Sequence, residues 1–316
     1  MAEREVSRDV AAFAAGATWR ETPEPARAAA RAIVALGLAA AACRGGAALR
    51  LHAIHAGIAG DTGGAGSTVL SGLAPLPPAM AAWVNGAAAA AGDPEGRLRP
   101  HEALLPAALA AAESAGAGGE ELLLGVAVGA EVALRIGGAM PGHAAAGWDP
   151  SGTVGQIGAA VAAMKVLGGD EAAALAAIGL GSAQAAGVGV SGHGFVREFA
   201  VGRAAGCGCE AGFLAIEDWR GPLLPLESPQ GFFALLGGAG AEPAAALEGL
   251  GASWLLGTAS GGEWRLPAGE ELPRVLVQLA GGREEAAKGL LRAAGEADGR
   301  GGVEGLLRAA AALSRV

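Results

Sequence analysis

Tyrosine is absent from the 316-residue sequence, so any proton transfer here proceeds without a phenolic hydroxyl. Cysteine is scarce: Cys43, Cys207 and Cys209 form an odd set, the last two separated by a single glycine. That is not the framework of a secreted disulfide scaffold. A structural zinc site needs about four ligands, and no CxxC or HxxxH spacing supplies them. Buried free thiols, and no metal, are the expectation. Positive charge is also short, with Lys+Arg 22 against Asp+Glu 31 and a net charge of −9. The resulting field repels phosphate backbones and anionic headgroups, which argues against a nucleic-acid partner. The start, Met1-Ala2-Glu3-Arg4-Glu5, is charged at once and lacks the apolar core of a signal peptide. Cytoplasmic localisation is therefore expected. Ala172 to Phe195 carries no charged residue over more than the roughly 20 residues of a membrane helix. Gly179, Gly181, Gly187, Gly189, Gly192 and Gly194 interrupt it, so no membrane span is expected.

What is present is alanine and glycine. The 52% hydrophobic content supplies a large core, and alanine loses no side-chain entropy on entering a helix. Helices are expected over 6–15, 25–43, 78–91, 104–115, 119–137, 152–167, 170–186 and 197–215. Pro25 and Pro78 suit a first turn, and Asp170 before Glu171 suits an N-cap. Faces made of Ala and Gly imply close helix-on-helix packing. Residues 274–279 alternate and end at Gly281-Gly282, which predicts a strand, followed by helices over 284–295 and 303–316. Glu131 and Arg135 stand at i, i+4, the spacing of an intrahelical ion pair. His52 and His55 share one helical face, but two ligands without an acidic third are a weak metal site. Gly187 to Gly192 matches GxGxxG, yet it follows an alanine-rich helix instead of a strand and does not read as a dinucleotide loop.

Several stretches occur in an order that carries more weight than any one of them: Ala81-Ala82-Trp83-Val84-Asn85-Gly86-Ala87-Ala88, Leu105-Pro106-Ala107-Ala108-Leu109-Ala110, Val128-Gly129-Ala130-Glu131-Val132-Ala133-Leu134-Arg135-Ile136-Gly137, Gly147-Trp148-Asp149-Pro150-Ser151-Gly152-Thr153-Val154-Gly155, Val201-Gly202-Arg203-Ala204-Ala205 and Pro229-Gln230-Gly231-Phe232-Phe233. In this order they resemble the MmgE/PrpD family, which includes 2-methylcitrate dehydratase and cis-aconitate decarboxylase. The resemblance implies a mainly α fold: a large all-helical domain, commonly dimeric, with the active site facing a smaller α/β lid.

The family's reactions remove a proton or a carboxylate beside a carboxylate-stabilised carbon, without a redox cofactor. They need an acid and a base near neutrality and cations for the substrate carboxylates. At the positions where the family carries histidine this chain has Ala90, Asp149 and Ala200, and where it carries lysine this chain has Arg197. The family's acidic cluster is reduced to Asp93-Pro94-Glu95-Gly96, and its His-Pro is Arg99-Pro100, followed by His101. Arginine cannot release a proton, although it can clamp a carboxylate bidentately. The resemblance therefore nominates Asp93, Asp149 and His193 for proton transfer, and Arg197, Glu95, Arg99, His101 and Asn85 for substrate binding, with no cofactor.

Only about residues 239–269 intervene between the Pro229–Phe233 motif and residues 275–279 of the expected strand, where the family has a substantial lid, and the final helices over 284–295 and 303–316 resemble the family's ending. Residues 1–238 and 284–316 are assigned to the helical domain, and 239–283 to a vestigial α+β lid remnant. The function expected is that of a cofactor-independent lyase or isomerase on a small carboxylate-bearing or enolisable substrate, acting as a homodimer. The alternatives are a repurposed pocket for cyclisation or isomerisation of an apolar intermediate, and a non-catalytic paralogue serving as a binding or partner subunit.

Overall fold

The computed structural model describes residues 5–43, 46–61, 63–91, 98–189, 194–258, 271–279, 282–299 and 302–314. The helices in chain order are α1 (Val6–Gly16), α2 (Glu24–Cys43), α3 (Ala47–Ala59), α4 (Pro78–Ala89), α5 (Pro100–Ala115), α6 (Gly119–Gly138), α7 (Val154–Val166), α8 (Glu171–Gln184), α9 (Phe195–Ile216), α10 (Phe232–Leu236), α11 (Glu271–Leu279), α12 (Glu284–Gly295) and α13 (Gly302–Ser314), with a 3-10 turn at Pro243–Leu247. No strand occurs among the described residues; two isolated bridges join Ser67 to Leu76 and Trp148 to Val188.

Helix α7 is the axis of the bundle. Every residue from Val154 to Val166 is buried except Lys165, as expected of a helix that is apolar on all sides. α5, α6, α8 and α9 surround it, and α4 lies against α9 and α5. The Ala/Gly faces do what their composition implies. A Cβ on Gly129 would lie 2.4 Å from the Gly158 carbonyl, and one on Gly202 would lie 2.6 Å from the Trp83 carbonyl. The α6/α7 and α9/α4 crossings therefore need glycine. Gly129→Ala should lower stability by about 1–3 kcal/mol through overpacking, whereas Gly289→Ala on α12, with nothing within 4 Å, should raise it by about 0.5–1 kcal/mol. Urea denaturation midpoints of the two variants measure the contrast.

The Asp170 N-cap is present, its carboxylate accepting from the Ala173 amide at 2.9 Å. Cys207 and Cys209 are buried free thiols, and burial pushes the Cys209 thiol up to about 12; the side chain of Cys43 lies outside the described residues. The charge-free run from Ala172 is broken where α8 ends at Gln184. Two other helical stretches, Glu24–Ala42 and Phe195–Ile216, have the length and hydropathy of a membrane span, but each is mostly buried in the bundle.

One expectation is overturned. Residues 274–279 belong to helix α11, not to a strand. Leu272, Val275, Leu276 and Leu279 also satisfy the i, i+3, i+4, i+7 spacing of a helical face, and this face packs on α2 and α12. With no neighbouring strand described, the backbone amides pair within the helix instead. Helix α3 has no counterpart among the expected helices.

Glu131 and Arg135 form the expected pair, with Arg135 Nε donating to Glu131 Oε1 at 2.7 Å and both side chains almost fully buried. The pair also holds the segment after α10. Arg135 donates to the carbonyls of Glu248 at 2.7 Å and Ser253 at 2.6 Å. Glu131 accepts from the amides of Leu255 at 3.0 Å and Leu256 at 2.8 Å.

Candidate functional site

Four backbone pieces meet around one guanidinium. Arg197 is the third residue of α9; α5 starts at Pro100, with Glu102 in its first turn; α4 ends with Ala90 as its C-cap; and Asp149 stands in the turn between α6 and α7. Proline at the first position of α5 suits a helix start, because its missing N–H would have no intrahelical partner. Gly147 opens the turn with φ of 96°, a conformation that glycine adopts without penalty. The turn is then fixed by the Asp149 amide donating to the Gly187 carbonyl at 2.7 Å, and by Gly189 donating to Gly147 at 2.6 Å.

Arg197 is 1% exposed, as is Glu102, while the Asp149 side chain is 14% exposed. Its Nη2 donates to Glu102 Oε2 at 2.8 Å and its Nη1 to Glu102 Oε1 at 3.3 Å, a bidentate fork. Nη1 also donates to the Ala90 carbonyl at 2.8 Å, and Nε donates to Asp149 Oδ2 at 2.9 Å. The Ala90 bond satisfies a carbonyl that the end of α4 leaves open. A cation in the first turn of α9 opposes the helix dipole, and the two carboxylates offset that cost. Burial works against the charged guanidinium, but Glu102 and Asp149 outweigh it and raise its pKa.

Asp149 is tuned in the opposite sense to an ordinary salt-bridged acid. Burial lifts its pKa, the Arg197 charge pulls it down, Glu102 adds repulsion, and the net direction is upward. Its Oδ1 accepts from the Ser151 amide at 3.0 Å. Ser151 Oγ in turn accepts from the Arg99 amide at 3.2 Å, tying the turn to the start of α5. Arg99 Nη1 lies 3.8 Å from Glu102 Oε1, with 29% of its side chain exposed. Behind the turn, Thr153 Oγ1 donates to the Asp149 carbonyl at 3.0 Å. The same hydroxyl lies 2.7 Å from Nε2 of the buried His143, whose Nδ1 lies 2.6 Å from the Leu236 carbonyl.

Of the nominated residues, Asp149, Arg197 and Arg99 come together. Asn85 serves elsewhere: its amide donates to the Thr68 carbonyl and accepts from the Leu70 amide, each at 2.8 Å, fixing the loop before α4. His101 is half-buried on α5, its backbone against Gly37 of α2. Asp93, Glu95 and His193 lie outside the described residues. His52 lies 2.9 Å from the Ala74 carbonyl through Nε2, while His55 is buried edge-on against Trp83. Among the described residues no three His, Cys, Asp or Glu side chains converge as a metal site. Sequence reasoning missed Glu102. There is little signal for it in the sequence: Glu102 follows Arg99-Pro100-His101 at the polar edge of the apolar run Ala103-Leu104-Leu105-Pro106-Ala107, where an acid in a first turn is already accounted for by the helix dipole.

The cluster thus presents an acid of raised pKa and a partly exposed arginine, Arg99, with the second arginine, Arg197, enclosed. Comparison with known families finds that residues 8–243 match the MmgE/PrpD N-terminal domain. Comparison with curated proteins finds no match.

Proposed function

The chain belongs to the MmgE/PrpD family, and from that membership we propose that it is a cofactor-independent lyase or isomerase acting on a small carboxylate-bearing or otherwise enolisable molecule. Asp149 is the general base, and Arg99 contacts the substrate carboxylate. The observation that carries this reading is the environment of Asp149. Its carboxylate is oriented by Arg197 and the Ser151 amide, and its pKa is raised by burial. Each carboxylate oxygen accepts more than one hydrogen bond, so both retain capacity for a proton from carbon. A base works best when its pKa approaches the working pH, and the upward direction is the useful one. Arg197 does not need to touch the substrate: its fork is engaged by Glu102, and it acts by holding Asp149.

Solvent exchange tests the reading whatever the final product is. Carboxylic acids with an activated C–H, incubated with the protein in D2O and followed by proton NMR, should include one whose C–H exchanges. The ionised carboxylate is the base, so exchange should rise with pH through the raised Asp149 pKa and level off above it. Asp149→Asn should reduce exchange about 100-fold or more while the far-UV circular dichroism is unchanged. Undiminished exchange in Asp149→Asn would falsify the assignment.

A second reading, a non-catalytic binding subunit, is favoured by one observation. Arg99 and Arg197 are matched by Glu102 and Asp149, so the described cluster holds no net positive charge for an anionic substrate. Binding of a carboxylate without exchange at any pH would select that reading.

A further inference from the structure

The polar contacts behind the Asp149 turn run in a line from one carbonyl to another. His143 Nδ1 lies 2.6 Å from the Leu236 carbonyl, His143 Nε2 lies 2.7 Å from Thr153 Oγ1, and Thr153 Oγ1 lies 3.0 Å from the Asp149 carbonyl. Both ends of the line can only accept, so each of the three contacts needs a proton from the imidazole or from the hydroxyl. A neutral imidazole supplies one proton and the threonine supplies one. Two protons cannot fill three contacts. With Nδ1 protonated, either Nε2 faces the Thr153 oxygen without a hydrogen between them, or the Thr153 and Asp149 oxygens face each other in that way. An imidazolium supplies two protons, and with the hydroxyl proton the line is complete.

His143 is 3% exposed and Thr153 0%, and an unfilled contact between buried polar groups costs more than one at a surface. Burial opposes the charged ring. Against it stand the completed line, the Leu236 carbonyl at the end of α10, which no further helical turn satisfies, and the Trp148 ring, stacked on His143 at 13° with centroids 6.3 Å apart. Phe232 closes another side at 6.4 Å. The surrounding elements bring few charges. Residues 139–153 hold Asp149 as their one other titratable group, and α10 and the first turn of α7 hold none. Arg135 near the end of α6 is turned to Glu131 and Ser253. Glu242, beyond α10, is exposed and donates its amide to the Ala139 carbonyl.

We propose that His143 is a proton-operated lock on the turn that carries Asp149: as an imidazolium it donates to Thr153, which leaves the Thr153 hydroxyl to donate to the Asp149 carbonyl. When the ring loses its second proton the hydroxyl turns to Nε2, and of these contacts the carbonyl keeps the Gly152 amide at 3.0 Å. The turn is therefore held below the titration of the ring and loosened above it. The consequence for catalysis rests on the reading of Asp149 as the base. The level of C–H exchange reached above the Asp149 pKa should hold while the ring is charged and fall once the ring is neutral.

Two measurements on the full chain test the lock without a substrate. Ring nitrogen NMR follows the protonation of His143 with pH. Thr153→Val removes the acceptor that completes the charged form and should lower the titration midpoint of the ring by about one pH unit, whereas Thr153→Ser keeps the hydroxyl and should leave the midpoint in place. Amide hydrogen exchange, corrected for its intrinsic pH dependence, follows the turn. In the wild type the protection of the Asp149 and Gly189 amides, which tie the turn to Gly187 and Gly147, should fall as the ring titrates while the α7 amides keep theirs. A midpoint that Thr153→Val leaves unchanged overturns the proposal, and so does Asp149 protection that does not follow the ring. If both follow the ring and no acid undergoes C–H exchange, the lock stands and the reading of Asp149 as the base fails.

Discussion

Arg197→Met should lower the unfolding free energy by about 3–5 kcal/mol, because removing one partner of a buried pair leaves the other charge uncompensated. Glu102 is 1% exposed and would lose both arms of its fork, and the Ala90 carbonyl at the end of α4 would lose its donor. Against a total stability of about 5–15 kcal/mol for a domain, that is a large fraction. Arg99, 3.8 Å from Glu102 Oε1, would recover a part by moving inward. Two companions separate this mechanism from lost packing. Arg197→Met combined with Glu102→Gln removes the stranded charge and should regain stability relative to the single variant, giving a coupling energy from the double-mutant cycle. Urea titrations at two pH values give the second. An uncompensated buried carboxylate favours its protonated form, whose stabilisation is present at low pH and lost as pH rises through the elevated pKa. The deficit of Arg197→Met should therefore be larger at pH 8 than at pH 5. Equal deficits at both pH values would mean that the arginine matters through its bulk.

The helices were legible because the chain says the same thing at every level: alanine propensity, proline at the starts of α2 and α4, and the Asp170 cap all agree. The errors fall where two periods fit one stretch or where a face is exposed and apolar. Residues 274–279 alternate, yet together with Leu272 they also follow a helical period, and no pattern within the segment reveals whether a partner strand exists. Helix α3 hides because Leu49, Ile54 and Ile58 remain on its exposed side, which blurs the contrast between faces that marks an amphipathic helix. At the candidate site, Asp149 and Arg197 were each legible as replacements for the family's residues. Their pairing was not, because it spans 48 residues and depends on where two helix starts meet. Glu102, which decides what Arg197 is free to do, lies 95 residues from it. A motif records which residues occupy a site, whereas this cluster is defined by which of their hydrogen bonds are already made.

The other large effect is expected at Arg135, where the same buried-pair physics has a more local consequence. Arg135→Met removes the counter-charge from Glu131, which is 0% exposed on its side chain, at a cost of about 3–5 kcal/mol. It also removes the donors that hold the Glu248 and Ser253 carbonyls. Glu131 would still be able to accept from the Leu255 and Leu256 amides, so the segment would be held by one side of its attachment. Short turns dominate here: the 3-10 stretch Pro243–Leu247 is followed by the turn at Gly249, which adopts φ of 66°. The backbone hydrogen bonds within it, such as Leu250 to Leu247 and Ser253 to Gly249, close only local turns and do not tie it to the bundle against opening. Hydrogen exchange should therefore show the Leu255 and Leu256 amides losing protection in Arg135→Met before the amides of α7 do. Arg135→Lys should fall between, since one ammonium cannot reproduce the planar fork that reaches Glu131, Glu248 and Ser253 together. If the α7 amides lose protection in step with Leu255 and Leu256, the segment unfolds only with the whole domain, and the Glu131–Arg135 pair belongs to the folding core and not to a detachable flap.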